Sequence, residues 1–272
     1  MKNKQSAKNS IKKLRNNLRE HNHSYYVLSN PSISDYKYDM MMKELIDLEQ
    51  KYPEFVDDNS PSVRVGDDRN QQFKQAKHSF YMLSLSNIFN KNDFFDFNNR
   101  IHKNLEEDFN YVCEQKFDGL SISLTYENGR LIRAVTRGDG TQGDVVTENV
   151  KTIKSIPLVL RGNSFPNFFE IRGEIVMPHT SFERINNQRL EEGKQLFANP
   201  RNAASGSLKL QNSREVAKRG LDAFFYYLSA QELPSDSHYE NLQLAKKWGF
   251  KISDYVFKTS KIDEVYAFIE KW

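Results

Sequence analysis

Lys116 has a carboxylate two residues away on each side, Glu114 and Asp118, and the run closes on Gly119. The flanking stretches, 111–115 and 120–126, both read as β-strand. Side chains alternate along a strand. An extended 114–118 therefore puts Glu114, Lys116 and Asp118 on one face, and Cys113, Gln115 and Phe117 on the other. A lysine amine at such a strand end can attack an electrophile once it has lost its proton. Burial and nearby cations favour that loss, and nearby carboxylates oppose it. The same spacing also describes an ordinary surface row of ion pairs.

Other residues could join such chemistry. Arg137 precedes the turn Gly138-Asp139-Gly140, and its planar fork suits phosphate, although a surface arginine reads the same way. Glu174 shares a strand face with Glu170 and Arg172, as a carboxylate site or as half of a cross-strand pair. Arg201 follows Asn199-Pro200, a turn signal. Asp35, Tyr38 and Asp39 stand at i, i+3 and i+4 and share a helix face. Carboxylates beside an aromatic ring can receive a positively charged ring, and Tyr25 and Tyr26 can extend the stack. A core tyrosine cluster, with Asp35 favouring a helix start, fits equally well. His21 and His23 are two apart, so on a helix they point apart and make a poor metal pair. Gly138-Asp-Gly140 does not open a helix in a βαβ unit, and no Walker motif is present.

The elements that must position these groups can be read in outline. A chain of 272 residues with 38% hydrophobic and 28% charged residues has room for one or two domains and a sizeable core. No apolar run is long enough to span a bilayer, and no secretory leader is evident, so a cytoplasmic protein is expected. Cys113 is the single cysteine, which excludes a disulfide framework or a four-cysteine zinc site within these residues. Net charge is only +3, but Lys2, Lys4, Lys8, Lys12, Lys13, Arg15 and Arg19 all precede the first acid, Glu20. That run suits a solvated helix face, a frayed tail or a phosphate-backbone contact.

The spacing predicts helices over 10–28 and from about Asp35 to before Pro53, with Ser34 as cap and Tyr38, Met41, Met42, Leu45 and Leu48 inward. A polar linker follows over 57–70. Asn128-Gly129 predicts a hairpin between 120–126 and 130–137. A strand is expected over 168–176, and helices over 181–192, 239–248 and 262–272. Hairpins with helices between them indicate an α+β fold: a small helical cap over 1–68, then a mixed, largely antiparallel domain over 69–272.

In order and spacing, four segments closely resemble the N-terminal half of bacterial NAD-dependent DNA ligases. They are Cys113-Glu-Gln-Lys-Phe-Asp-Gly-Leu-Ser-Ile-Ser-Leu-Thr-Tyr-Glu-Asn-Gly-Arg-Leu131, Thr136-Arg-Gly-Asp-Gly-Thr-Gln-Gly143, Glu170-Ile-Arg-Gly-Glu-Ile-Val-Met-Pro178 and Phe197-Ala-Asn-Pro-Arg-Asn-Ala-Ala-Ser-Gly-Ser-Leu208. Tyr25-Tyr-Val-Leu-Ser-Asn-Pro-Ser-Ile-Ser-Asp-Tyr-Lys-Tyr-Asp39 resembles the same family's nicotinamide-binding cap. Met82-Leu-Ser-Leu85 resembles its pocket-lining segment.

The resemblance implies that Lys116 attacks NAD, releases nicotinamide mononucleotide and carries AMP as a phosphoramide. It implies that Glu114 contacts the adenine, that Asp118 lies by the ribose and nucleophile, and that Glu174 holds the ribose hydroxyls. Arg137 becomes a nucleotide contact, and Arg201 lies near the phosphates or DNA. Tyr25, Tyr26, Asp35, Tyr36, Lys37, Tyr38 and Asp39 would serve the nicotinamide half, with Ser84 and Leu85 lining the nucleotide pocket. Magnesium is expected with no protein ligand assigned, and the full-length partner is nicked double-stranded DNA, handled by a monomer without a membrane.

Some positions depart from the family pattern. Lys209 stands where arginine is usual, Tyr81 where proline is, Ser86 where an acid is, and Asp144-Val145 where Glu-Asp is. Two further lysine-bearing motifs, an oligonucleotide-binding barrel, a zinc module and helix-hairpin-helix repeats would lie downstream. The adenylation domain is thus expected to be incomplete at its C-terminus, and these residues alone are not expected to seal nicks. A nucleotide- or DNA-binding module without turnover, and an ATP-dependent nucleic-acid ligase or capping nucleotidyltransferase, are the rival readings; the helical cap speaks against the latter.

Overall fold

The computed structural model describes residues 2–24, 32–64, 73–83, 85, 88 and 90–272. Helix α1 (Lys2–Asn22) forms because Ala7, Ile11, Leu14 and Leu18 recur at helical spacing, and all four are buried. It starts well before residue 10, so the basic run lies on a helix and is not a frayed tail. Much of that run is taken up by packing. Lys4 Nζ is 2.9 Å from Glu54, Lys8 Nζ is 5.9 Å from the centre of the Phe55 ring, and Arg19 donates to the Asn59 carbonyl at 3.2 Å.

Helix α2 (Asp35–Lys51) begins at Ser34, whose hydroxyl accepts from the Lys37 N–H at 3.4 Å. Leu45 packs against α1, with Tyr38, Met41, Met42 and Leu48 around it. The expected linker is not slack over its first half. Short 3-10 turns at Pro53–Phe55 and Pro61–Arg64 fold it back, and Asn59 and Ser60 are buried. Arg15 donates to Glu49 at 2.8 Å and to the Ser60 hydroxyl at 3.2 Å, and Ser60 donates to Glu49 at 2.8 Å. This ion pair is buried and hydrogen-bonded on both partners, the condition under which a buried pair is tolerated. The expected boundary at 68/69 lies outside the described residues.

The remainder runs β1 (Gln75–Lys77), α3 (Lys91–Asn104), β2 (Tyr111–Cys113), β3 (Leu120–Glu127), β4 (Arg130–Thr136), β5 (Gln142–Asp144), α4 (Thr147–Lys151), β6 (Phe168–Val176), α5 (His179–Glu191), α6 (Pro200–Leu208), α7 (Ser213–Ala217), β7 (Asp222–Ser229), α8 (His238–Lys247), β8 (Phe257–Thr259) and α9 (Ile262–Glu270). A four-stranded antiparallel sheet has the order β4-β3-β6-β7, and β1–β5 and β2–β8 form two small antiparallel pairs. The fold is α+β, as expected. The β3–β4 hairpin turns at Asn128 (φ 49°) and Gly129 (φ 72°), both left-handed as a two-residue hairpin turn requires.

The sheet has two unlike faces. Ile122, Leu124, Tyr126, Ala134, Phe169, Ile171 and Ile175 enter one core with Val150, Ile153, Ile156, Trp248 and Phe250. Tyr126 stacks on Phe169 at 5.4 Å and meets Phe250 edge-on at 5.2 Å. The opposite face is polar. Ser121, Ser123 and Thr125 of β3 stand across from Glu174, Arg172 and Glu170 of β6.

Two local expectations are corrected. Residues 114–118 are not strand but the connection between β2 and β3, which belong to different sheets. Asn199-Pro200 is not a simple turn. Asn199 caps α6 by accepting from the Asn202 N–H at 2.8 Å, and Pro200 fills the first helical position, so Arg201 lies in a helix's first turn.

The cap packs on the apolar side of the sheet. Asp57 pairs with Arg130, and Glu20 meets Arg161 at 2.6 Å. Tyr38 lies 5.9 Å from Lys154 Nζ, just beyond α4. Among the described residues no helix is long and apolar enough to cross a membrane. Replacing Glu49 with alanine leaves the buried Arg15 cation with Asp57, 3.8 Å away, as its remaining carboxylate and should cost about 3 kcal/mol of cap stability. Urea unfolding, with the cap followed by hydrogen exchange, measures it, and an unchanged cap would show that Asp57, the Ser60 hydroxyl and the Phe55 carbonyl, to which Arg15 also donates, suffice for it.

Candidate active site

The polar sheet face supplies the floor. Glu170 is almost wholly buried on it, accepting from the Ser79 N–H at 3.3 Å and the Ser123 hydroxyl at 3.2 Å, with Arg133 at 3.9 Å. Arg172 donates to the Phe80 carbonyl at 2.9 Å and lies over the Tyr227 ring at 5.3 Å. The β6–β7 register slips at Arg172/Gly173, leaving Tyr226 out of the pairing. Its hydroxyl lies 3.0 Å from the Ser121 hydroxyl. Burial pushes the Tyr226 phenol up, so it remains a neutral hydrogen-bonding group.

The Lys116 loop crosses above this floor. Phe117 turns inward and stacks on Phe224, 4.1 Å away and nearly parallel, while Lys116 and Asp118 are exposed. Gly119 closes the loop where no side chain fits: a Cβ there would lie 2.1 Å from the Ile175 carbonyl oxygen. The Gly119 N–H donates to Glu174 at 3.3 Å. Neither flanking acid is spent on Lys116. Glu114 lies 2.7 Å from His238 Nε2, and Asp118 lies 3.3 Å from Arg201. Cys113 is buried, and burial pushes its thiol up, so it offers no competing thiolate.

A strap borders the floor on the other side. His78 Nε2 lies 3.1 Å from the Arg137 carbonyl, and the Met82 N–H donates to the Gly140 carbonyl at 2.9 Å. Met82 is buried, while Tyr81, Leu83 and Leu85 are exposed. Ser84 lies outside the described residues. Asp139 shapes the adjoining turn by accepting from Thr141 and Gln142, which holds its carboxyl down to about 2. Arg137 enters from that turn, its N–H bonded to the Ser121 carbonyl at 3.1 Å. Lys209, at the end of α6, pairs with Asp144 at 2.7 Å.

Glu114, Lys116, Asp118, Arg137, Glu174 and Arg201 thus gather around one face. Lys37 and Tyr38 do not join them, because α2 lies on the apolar side of the sheet. Tyr25 and Tyr26 lie outside the described residues, as do the side chains of Asp35, Tyr36 and Asp39. Sequence reasoning missed Ser121, Tyr226 and His238. The alternation of Ser121 and Ser123 with Ile122 and Leu124 was the available signal for the first, and nothing in spacing marked the other two. No group of three or more His, Cys, Asp or Glu that could hold a metal occurs among the described residues, so the expected magnesium has no protein-built cage there.

The comparisons with known proteins are consistent with this geometry. A family model described as "DNA ligase-like, N-terminal NAD+-binding domain" matches residues 4–66, and one described as "NAD-dependent DNA ligase adenylation domain" matches residues 70–272. Similar curated proteins are each named DNA ligase. That of Bacteroides fragilis is 58% identical over 98% of this chain, that of Phocaeicola vulgatus 58% over 96%, and that of Parabacteroides distasonis 55% over 96%. The chain covers 40%, 39% and 40% of those relatives' lengths.

Burial raises the Glu174 carboxyl above its ordinary 4.5, against the Gly119 N–H, Lys116, Ser121 and Arg201, which favour the ionised form. The folded protein therefore keeps a proton that the unfolded chain has already released. Stability falls as pH rises from 4.5 through the raised value. Glu174→Gln should remove that loss, so its stability relative to the parent should improve between pH 4 and pH 7; a pH-independent difference in urea unfolding would contradict the shift. Gly119→Ala should displace the Lys116 loop, to be read as lost Phe117–Phe224 ring contacts by NMR.

Proposed function

The chain belongs to the NAD-dependent DNA ligases, and from that premise we propose that it is an adenylation module in which Lys116 is the nucleophile. The observation that carries this reading is the exposed Lys116 loop above a polar sheet face, with Glu174 beneath it and both flanking acids held by other partners. Unprotonated Lys116 Nζ attacks the adenylyl phosphorus of NAD. The N–P bond forms as the bond to the bridging pyrophosphate oxygen breaks. Nicotinamide mononucleotide leaves with the electron pair, and the amine's remaining excess proton passes to solvent.

Glu114 receives the adenine, and Glu174, joined by Asp118, receives the ribose. Arg137 and Arg201 offer fixed cationic forks to the phosphates, where charge moves during transfer. Leu85, with Ser84, lines the nucleotide pocket. Tyr25, Tyr26, Asp35, Tyr36, Lys37, Tyr38 and Asp39 serve the nicotinamide half. Tyr38 lies on the other side of the sheet from Lys116, so one NAD molecule can meet both sets only after the cap changes its seat. Magnesium enters this reading by resemblance alone, and no step is assigned to a protein-held ion.

The units divide at 68/69. The longer enzyme seals nicked double-stranded DNA in replication and repair, as a cytoplasmic monomer. The alternative, a nucleotide-binding module without turnover, is separated by one experiment. Intact-mass measurement after incubation with NAD and magnesium should find one adenylyl group added. Lys116→Ala should abolish it, and Lys116→Arg should as well, because guanidinium keeps its proton. Labelling that persists in Lys116→Ala would overturn the assignment. NAD binding without any labelling would favour the module without turnover.

A further inference from the structure

We infer that His238 is a positioning residue that sets the purine preference of this site by holding Glu114. The inference rests on the reading of Glu114 as the adenine contact. His238 Nε2 and Glu114 Oε1 are 2.7 Å apart, and both side chains are partly withdrawn from solvent, at 34% and 22% exposure. An ionised carboxylate can only accept, so this contact requires a hydrogen on Nε2, whether the ring is neutral or charged.

His238 is itself firmly placed. It is the first residue of α8, capped by Ser237, whose hydroxyl accepts from the Glu240 N–H at 3.4 Å. Buried Asn241 ties the preceding turn down, accepting from the Ser235 N–H at 3.1 Å and donating to its carbonyl at 2.7 Å. The Tyr227 ring lies 5.9 Å from the imidazole and is itself under Arg172. A continuous line of side chains thus runs from the polar sheet face to Glu114. On the other side of Glu114, Gln115 accepts from the Ser253 hydroxyl at 3.1 Å.

A carboxylate fixed in this way keeps its remaining lone pairs as acceptors. It accepts from an amine on purine C6 and opposes a carbonyl at that position, lone pair against lone pair. Without the His238 donor, Glu114 is free to rotate, and it then neither holds a C6 amine nor opposes a C6 carbonyl. Loss of His238 should therefore relax discrimination between 6-amino and 6-oxo purines rather than simply weaken binding.

The test is equilibrium binding of NAD and of nicotinamide hypoxanthine dinucleotide to the 272-residue chain by titration calorimetry. The ratio of the two affinities does not depend on the fraction of protein that is folded. The parent should prefer NAD by about tenfold or more, the range expected for one hydrogen bond to a charged group. His238→Ala should lose most of that preference, and Glu114→Ala all of it. His238→Gln should retain it, because its amide carries a donor close to the position of Nε2. If Glu114→Ala loses the preference while His238→Ala keeps it, the inference fails and the reading of Glu114 stands. If Glu114→Ala keeps it, or the parent has none, that reading falls and the inference with it. A His238→Gln variant as unselective as His238→Ala would overturn the hydrogen-bond account.

Discussion

The register of β3 against β6 is the constraint from which the rest follows. With Ser121 opposite Glu174 and Ser123 opposite Arg172, the buried apolar side chains Ile122, Leu124, Tyr126, Phe169, Ile171 and Ile175 fall on the other face. A slip of β3 by one residue would send Ile122 and Leu124 to the polar side and Ser121 and Ser123 into the core. The penalty for that exchange is what makes one sheet serve as core wall and site floor together. Glu170 marks its limit. It is a carboxylate almost without solvent, kept there by the Ser79 N–H, the Ser123 hydroxyl and Arg133.

The same floor fixes the Lys116 loop without using regular structure. Phe117 is pinned through its ring, and Gly119 through a backbone approach that leaves no room for Cβ. Lys116, between them, is left exposed. The acids on either side are drawn off in opposite directions, one to α8 and one to the first turn of α6. Holding Arg201 on a capped helix is more exact than holding it on a loop, because the Asn199 cap and Pro200 restrict the backbone just before it.

Much of this was legible in advance, for identifiable reasons. The 168–176 strand and the Asn128-Gly129 hairpin carry local signals, alternation in one and left-handed turn residues in the other, and they lie where expected. Lys116 and its companions were found by type and by resemblance, and the described ones on the adenylation side do converge. Tertiary partners escaped. His238 is more than a hundred residues from Glu114, and no strand was expected over 222–229, where β7 carries Tyr226. The segment 114–118 misled because alternating side chains also occur in an extended connection that pairs with nothing. The basic N-terminal run read as a solvated helix face, a frayed tail or a phosphate contact, yet several of its charges are used inside the cap.

The β2–β8 pairing has a kinetic side. Hairpin β3–β4 closes over two residues, whereas Tyr111 must find Thr259 across most of the domain. Contacts so distant in sequence form late, after the entropy of the intervening loop has been lost to nearer pairings. During synthesis β2 emerges long before β8 and waits unpaired. The connection that carries Lys116 starts at the end of β2, and Glu114 and Gln115 are bonded to His238 and Ser253, each more than a hundred residues downstream. The surroundings of Lys116 are therefore completed late in folding, and a chain that has not yet reached β8 displays that lysine without them.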